Sequence, residues 1–196
     1  FAGQRRGAVL IFLKERLVLF AVPKTGSSAL ESALRPRCSI DLRGPPEVRH
    51  MTSGRFAESW GPFLEKRLGA NPTSVAILRE PVSRLASWYR YRHGRQFQGT
   101  ENGIKDISFD DFIAASLSDD PPVWARIGSQ DRFCLDSHDR PRITDLFTYE
   151  TLPMAVAFLE RKLGGAIDLP QRNVSPKVAT PLRADLLAAL QERRAR

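Results

Sequence analysis

The chain reads as an α/β protein built on a mostly parallel central sheet with helices on both faces, and three observations carry that expectation. Apolar, strand-like runs alternate along the chain with segments of helical period, the order that strand–helix–strand crossovers produce. The run Leu17 to Val22 is continuously apolar rather than alternating, as suits a strand covered on both faces. Two runs end directly in short turns, Pro23-Lys24-Thr25-Gly26-Ser27-Ser28 and Arg79-Glu80-Pro81, and a helical pattern follows each. With 196 residues, no internal repeat and no low-complexity linker, residues 1–196 are expected to form one domain.

Ala8 to Leu13 and Leu17 to Val22 are the first two strands, divided by the charged turn Lys14-Glu15-Arg16. Ala29, Leu30, Ala33 and Leu34 recur at helical spacing until Pro36 stops them. Residues 35–49 hold Pro36, Gly44, Pro45 and Pro46 and read as a loop. Thr52 to Leu68 is helical, broken near Gly61-Pro62, and Ser74 to Leu78 is the next core strand. Pro81 opens a helix to about Tyr91, and the polar, glycine-containing stretch Arg92 to Gly103 reads as a mobile loop. Ser108 N-caps a helix to Leu117, with Asp111 completing a capping box. A further helix is expected from about Val123, after Asp119-Asp120-Pro121-Pro122. Asp145 to Tyr149 is a short strand, Leu152 to Leu163 a helix stopped by Gly164-Gly165, and Leu182 to Arg194 the last helix.

Thirty Lys and Arg against 22 Asp and Glu give a formal charge of +8, a field that attracts anions. A bisphosphorylated nucleotide, an acidic glycan and nucleic acid all fit it. The densest basic cluster is Arg79, Arg84, Arg90, Arg92 and Arg95, for which a solvated helix face is the plain explanation. No apolar run reaches the ~20 residues of a bilayer-spanning helix, and no charged-then-apolar signal segment is present. A cytoplasmic protein is expected; because the chain starts at Phe1, a Golgi-luminal domain with its anchor removed is the alternative. Cys38 and Cys134 lack C-x-x-C spacing and read as ordinary buried thiols, with a bridge between them as the alternative. No His/Cys/Asp cluster has ligand spacing, so no metal is implied.

The chemistry concentrates at the two turns. In the first, N–H groups at a helix start point outward, the helix dipole favours negative charge, Gly26 permits close approach of a phosphate, and Lys24 adds a mobile cation. The lysine precedes the glycine, unlike G-x-x-x-x-G-K-[ST], which argues for a ligand other than ATP. Ser28-Ala29-Leu30-Glu31 also fits an S-x-x-E capping box, which puts Ser27 ahead of Ser28 as a phosphate ligand. In the second turn Arg79 ends a strand, and Ser87 lies about two turns into the helix that follows.

Together these segments resemble the sulfotransferases that use 3′-phosphoadenosine-5′-phosphosulfate (PAPS). In that family a P-K-[TS]-G-[ST]-[ST] loop holds the 5′-phosphosulfate, and an Arg followed two turns later by a Ser holds the 3′-phosphate. Pro23 to Ser28 match the first element, and Arg79 and Ser87 the second. The likeness is closest to the heparan-type and related bacterial carbohydrate sulfotransferases. It continues through Ile127-Gly128-Ser129-Gln130 and Leu146-Phe147-Thr148-Tyr149-Glu150 to Asn173-Val174-Ser175-Pro176-Lys177.

The resemblance implies a P-loop-NTPase-like sulfotransferase fold and sulfuryl transfer from PAPS to a hydroxyl of a carbohydrate or another hydroxylated metabolite. Adenosine 3′,5′-bisphosphate (PAP) is then the product, with no metal, no nucleic-acid partner and no membrane span. As nucleotide ligands it implies Lys24, Thr25, Gly26, Ser27, Ser28, Arg79 and Ser87, with Ser175 and Lys177 from the late loop. Lys24 also stabilises charge on the leaving oxygen. The acceptor needs a base that works near neutral pH, and His50, between the two turns, is the candidate, with a structural histidine as the rival reading. His93 and His138 read as exposed loop residues, Tyr149-Glu150 as structural, and Trp88 as packing for its helix. Two other functions stay open: a nucleotide-binding phosphotransferase and a basic nucleic-acid-binding protein.

Overall fold

The computed structural model describes residues 8–69, 71–136, 138–170 and 178–195, with side chains as far as 192. In chain order the elements are β1 (Val9–Phe12), β2 (Leu17–Leu19), α1 (Ser27–Leu34), β3 (Ile40–Leu42), α2 (Pro46–Arg49), α3 (Ser53–Ser59), α4 (Gly61–Leu68) and β4 (Thr73–Leu78). They continue with α5 (Pro81–Arg92), α6 (Phe109–Leu117), β5 (Asp145–Thr148), α7 (Leu152–Leu163) and α8 (Ala184–Ala195). The described residues fall into two compact units, one within 1–79 and 129–173, the other within 80–128 and 174–196.

The first unit holds the single five-stranded sheet found among the described residues, in the order β3-β1-β2-β4-β5. β1 pairs antiparallel with both β2 and β3, whereas β2–β4 and β4–β5 are parallel. The sheet is therefore evenly mixed, not mostly parallel. The tight turn at Leu13–Arg16 returns the chain alongside itself and so permits only antiparallel pairing. β3 is three residues inside the proline-rich stretch that reads as a loop, too short to show a period of two.

Alternation along β1 sends its residues to opposite faces of the sheet. Val9 and Ile11 join Val18, Ala76, Phe56 of α3 and Leu64 of α4 on one face. Leu10 and Phe12 join Leu17, Val75, Ile77, Leu30 and Leu34 of α1, and Leu159 of α7 on the other. Helices thus cover both faces, and β2 is wholly buried, as its continuous apolar run requires. Each large side chain so buried contributes about 1.5–3 kcal/mol. Cys134 packs into the first cluster and Cys38 against the second; both are free thiols, and lying on opposite faces they do not bridge. Arg37 donates to the Leu163 and Gly164 carbonyls, placing a cation at the C-terminus of α7 where the helix leaves acceptors unmet.

The second unit is helical. α5, α6 and α8 enclose Leu85, Tyr89, Phe109, Phe112, Ile113 and Leu190. Ser108 accepts from Asp111 N at 3.0 Å, the expected cap of α6. No helix forms from Val123: Ala125 N and Arg126 N both bond Pro122 O, a single turn.

Arg95 of the basic cluster is exposed, but Arg84, Arg90 and Arg92 are not a solvated face. Arg84 is buried and donates to Gly128 O at 2.7 Å, and Arg90 reaches Val178 O and Thr180 Oγ1. Arg92 lies between the Trp88 and Phe97 rings, 5.3 and 5.4 Å from their centroids, and donates to Asn102 Oδ1 at 2.5 Å. Its carbonyl also accepts from Ile104 N, and Gly103 sits so close under the Phe97 carbonyl that a Cβ there would overlap it. The stretch that reads as a mobile loop is therefore pinned around one arginine. His93 is half-buried against Tyr89, ring centroids 4.6 Å apart, rather than exposed.

Candidate functional site

Because β2, β4 and β5 run parallel, their carboxyl ends lie along one edge of the sheet, the edge at which α/β proteins bind ligands. The residues leaving that edge are Phe20–Gly26 after β2, Arg79 after β4 and Tyr149 after β5. All belong to the first unit.

Two departures from ordinary backbone, on either side of Thr25, shape the turn after β2. Lys24 has φ 71° and Gly26 has φ 79°. The left-handed region is costly for any residue with a Cβ, on the order of 1–3 kcal/mol, and at Lys24 the surroundings must hold it. At Gly26 only glycine is at ease, and a Cβ there would also come within 3.2 Å of the Tyr149 ring. Gly26 is the N-cap of α1, and its carbonyl accepts from Ala29 N and Leu30 N. No side chain caps the helix, and no acidic residue stands in its first turn. The N–H groups of Ser27 and Ser28 occupy positions where a helix offers them no acceptor of its own.

Two expectations change here. Ser28 is not a cap: α1 starts one residue before it, and Glu31 is turned inward, 2% exposed, in an ion pair with Arg35. Thr25 is buried and its hydroxyl donates to Val22 O at 2.9 Å. Thr25 therefore serves the turn through its hydroxyl and can serve an anion only through its backbone N–H.

Arg79 is fixed at both ends. Its N–H donates to Gln130 Oε1 at 3.1 Å and its carbonyl accepts from Gln130 Nε2 at 2.6 Å, so one side-chain amide satisfies both backbone groups just beyond β4. Its guanidinium lies 4.4 Å from the centroid of Tyr149 and donates through Nη1 to Lys24 O at 3.1 Å. Arg79 and the Lys24 turn, 55 residues apart in sequence, are thus directly bonded. Gln130 carries no role in the sequence reading, and Tyr149 reads there as structural. The available signal was placement, since each lies in a segment of the resemblance and Tyr149 directly follows a strand's carboxyl end.

His50 caps the C-terminus of the short α2. Its Nδ1 stands 2.7 Å from Ala21 O. A carbonyl only accepts, so the proton is on Nδ1 and the lone pair of the neutral ring is on Nε2. Ala21 is three residues before Lys24, which ties the histidine to the strand leading into the turn. Burial first, then the charges of Arg49 and Arg132, push the His50 pKa below 6.5; the bond to Ala21 and the charge of Glu31 act against them. The lowering arises from burial and these two arginines, not from the basic cluster of α5. Neutral imidazole is accordingly the resting form near pH 7.

Lys24, Thr25, Gly26, Ser27, Ser28, His50 and Arg79 all lie in the first unit, and the hydrogen bonds through Lys24 O and Ala21 O link Arg79 and His50 to the turn. Ser87 is half-buried on α5 in the other unit, and Ser175 and Lys177 lie outside the described residues. His138 is exposed in its turn. Among the described residues no group of three or more His, Cys, Asp or Glu side chains is arranged to hold a metal ion, and no helix is long and apolar enough to cross a membrane. No protein-family model, curated protein or solved structure matches the chain.

Proposed function

We propose that the chain is a sulfotransferase of P-loop-like fold, acting in the cytoplasm, that moves a sulfuryl group from PAPS to a hydroxyl of a carbohydrate or another hydroxylated metabolite. One observation carries the reading: an uncapped helix N-terminus follows a doubly left-handed turn, with the guanidinium of Arg79 anchored to that turn. Bare N–H groups, a helix dipole and a fixed planar cation are what a nucleotide carrying phosphate at both its 5′ and 3′ positions requires.

PAPS supplies an activated sulfuryl group, and the protein's part is positioning and charge. The N–H groups of Thr25, Gly26, Ser27 and Ser28 receive the 5′ anion, with the Ser27 and Ser28 hydroxyls as further donors. Arg79 receives the 3′-phosphate. Lys24 stabilises the negative charge that grows on the leaving oxygen. Nε2 of His50 removes the proton of the acceptor hydroxyl, and the bond from Nδ1 to Ala21 O steadies the imidazolium that forms.

The test is to incubate the chain with ³⁵S-labelled PAPS and a panel of neutral and acidic glycans and small hydroxylated compounds, alongside melting curves with PAP. Label should pass to one acceptor class. PAP at a hundred times its Kd should add ~2.7 kcal/mol, raising Tm by roughly 5–10 °C. No transfer to any acceptor with no PAP shift, or an equal shift with any polyanion, overturns the reading.

A further inference from the structure

A second role for Arg79 and a role for Tyr149 emerge from how the two anion-binding turns are joined. Lys24 sits in a backbone conformation that its own side chain disfavours. The group bonded to its carbonyl is the guanidinium of Arg79, at 3.1 Å, and the guanidinium in turn rests on the Tyr149 ring, 4.4 Å from its centroid. The edge of the same ring lies close over Gly26, its Cε2 3.2 Å from where a Cβ there would stand. One aromatic ring therefore touches both ends of the arrangement, supporting the cation of one turn and closing off the glycine of the other. Gln130 adds the third constraint by holding both backbone groups of Arg79.

We infer that Tyr149 is a positioning residue, which acts through Arg79 and Gly26 to hold the Lys24 turn in its anion-binding shape, and that Arg79 shapes the 5′ subsite as well as binding the 3′-phosphate. This rests on the sulfuryl-transfer reading. It makes a claim that a simple ligand role for Arg79 does not: damage to the Arg79–Tyr149 pair weakens binding even of a nucleotide with no 3′-phosphate. The agent is the face of the ring, since the attraction of a cation to an aromatic ring needs no hydroxyl.

The experiment measures Kd by calorimetry for PAP and for adenosine 5′-monophosphate on the native chain, Tyr149→Phe, Tyr149→Leu and Arg79→Ala, each first shown to melt cooperatively. Tyr149→Leu keeps apolar volume against α7, so it isolates the ring face from simple loss of packing. Tyr149→Leu and Arg79→Ala should each weaken the monophosphate by about tenfold, and Tyr149→Phe should stay within about twofold of native for both ligands. Native-like monophosphate affinity in Tyr149→Leu, or a Phe variant as damaged as the Leu variant, overturns the inference while leaving the sulfotransferase reading intact. A native chain that binds neither nucleotide overturns that reading, and the inference with it.

Discussion

The junctions after β2 and β4 share a plan of strand, short turn and helix, yet they leave opposite things exposed. After β2, α1 begins without a side-chain cap or an acidic residue in its first turn, and the helix offers its leading N–H groups no acceptor. After β4, the carboxylate of Glu80 accepts from Val82 N at 3.0 Å and Ser83 N at 2.7 Å, while Pro81 at the first helical position has no N–H to offer. The N-terminus of α5 is thus already closed by the protein's own anion. What this junction presents is a side chain, Arg79, held by Gln130 and Tyr149. On the proposed reading one junction would receive an anion with its backbone and the other with a guanidinium, so lesions at the two should differ in kind.

The largest effect is expected at His50, which is bonded to the approach of the first junction. His50→Ala should lower kcat by roughly 10²–10⁴-fold with PAP affinity intact. The base must be unprotonated, and its pKa lies below 6.5, so activity should rise with pH through a limb on the acid side of 6.5 and be level above it. Loss of that limb in the mutant is the check; a retained limb moves the base to a carboxylate, with Glu47 and Glu58 tried first. The same shift has a stability consequence. As pH falls through 6.5 the unfolded chain takes up the proton first, so stability declines from there down to the folded pKa.

Lys24→Ala comes next, with kcat falling about 10²–10³-fold and PAP affinity changing little. Arg79→Ala should do the reverse in emphasis, weakening PAP by roughly 10–100-fold, as loss of charge-assisted hydrogen bonds does. If Lys24→Ala loses affinity alone, Lys24 belongs to the anion receptor and not to the transfer step. The smallest effect belongs to Glu80→Ala. Removing this cap should cost ~1 kcal/mol of stability in a melting curve without altering PAP affinity. A loss of affinity there would mean that the α5 terminus itself receives an anion.

Most helices and the two strand-to-helix turns are legible because their signals are local. Pro81, Ser108 with Asp111, and the Gly164-Gly165 stop each act within one turn of chain, and the structure uses each as its chemistry dictates. The sheet's mixed sense was not legible, because strand direction is set by which strands pair, and β3 is only three residues long. The basic cluster misled for a related reason. Arg84, Arg90 and Arg92 have the composition of an exposed face, but their partners are carbonyls and side chains 10 to 90 residues away, which no local pattern reports. Tyr149 reads as structural and Ser28 as a cap; the first lies against Arg79, and the second stands inside a helix that begins after Gly26 without a side-chain cap.

The central claim, that the open start of α1 is the receptor for the 5′ anion, is tested most directly by calorimetric titration of PAP into the native chain and into Ser27→Asp. A carboxylate at this first helical position complements the dipole, so the variant should melt at the native temperature or above, with a gain of about 0.3–1 kcal/mol. It also fills the receptor with like charge, so PAP binding, present at one site in the native chain, should be lost. A stable Ser27→Asp variant that binds PAP as tightly as the native chain would contradict the account.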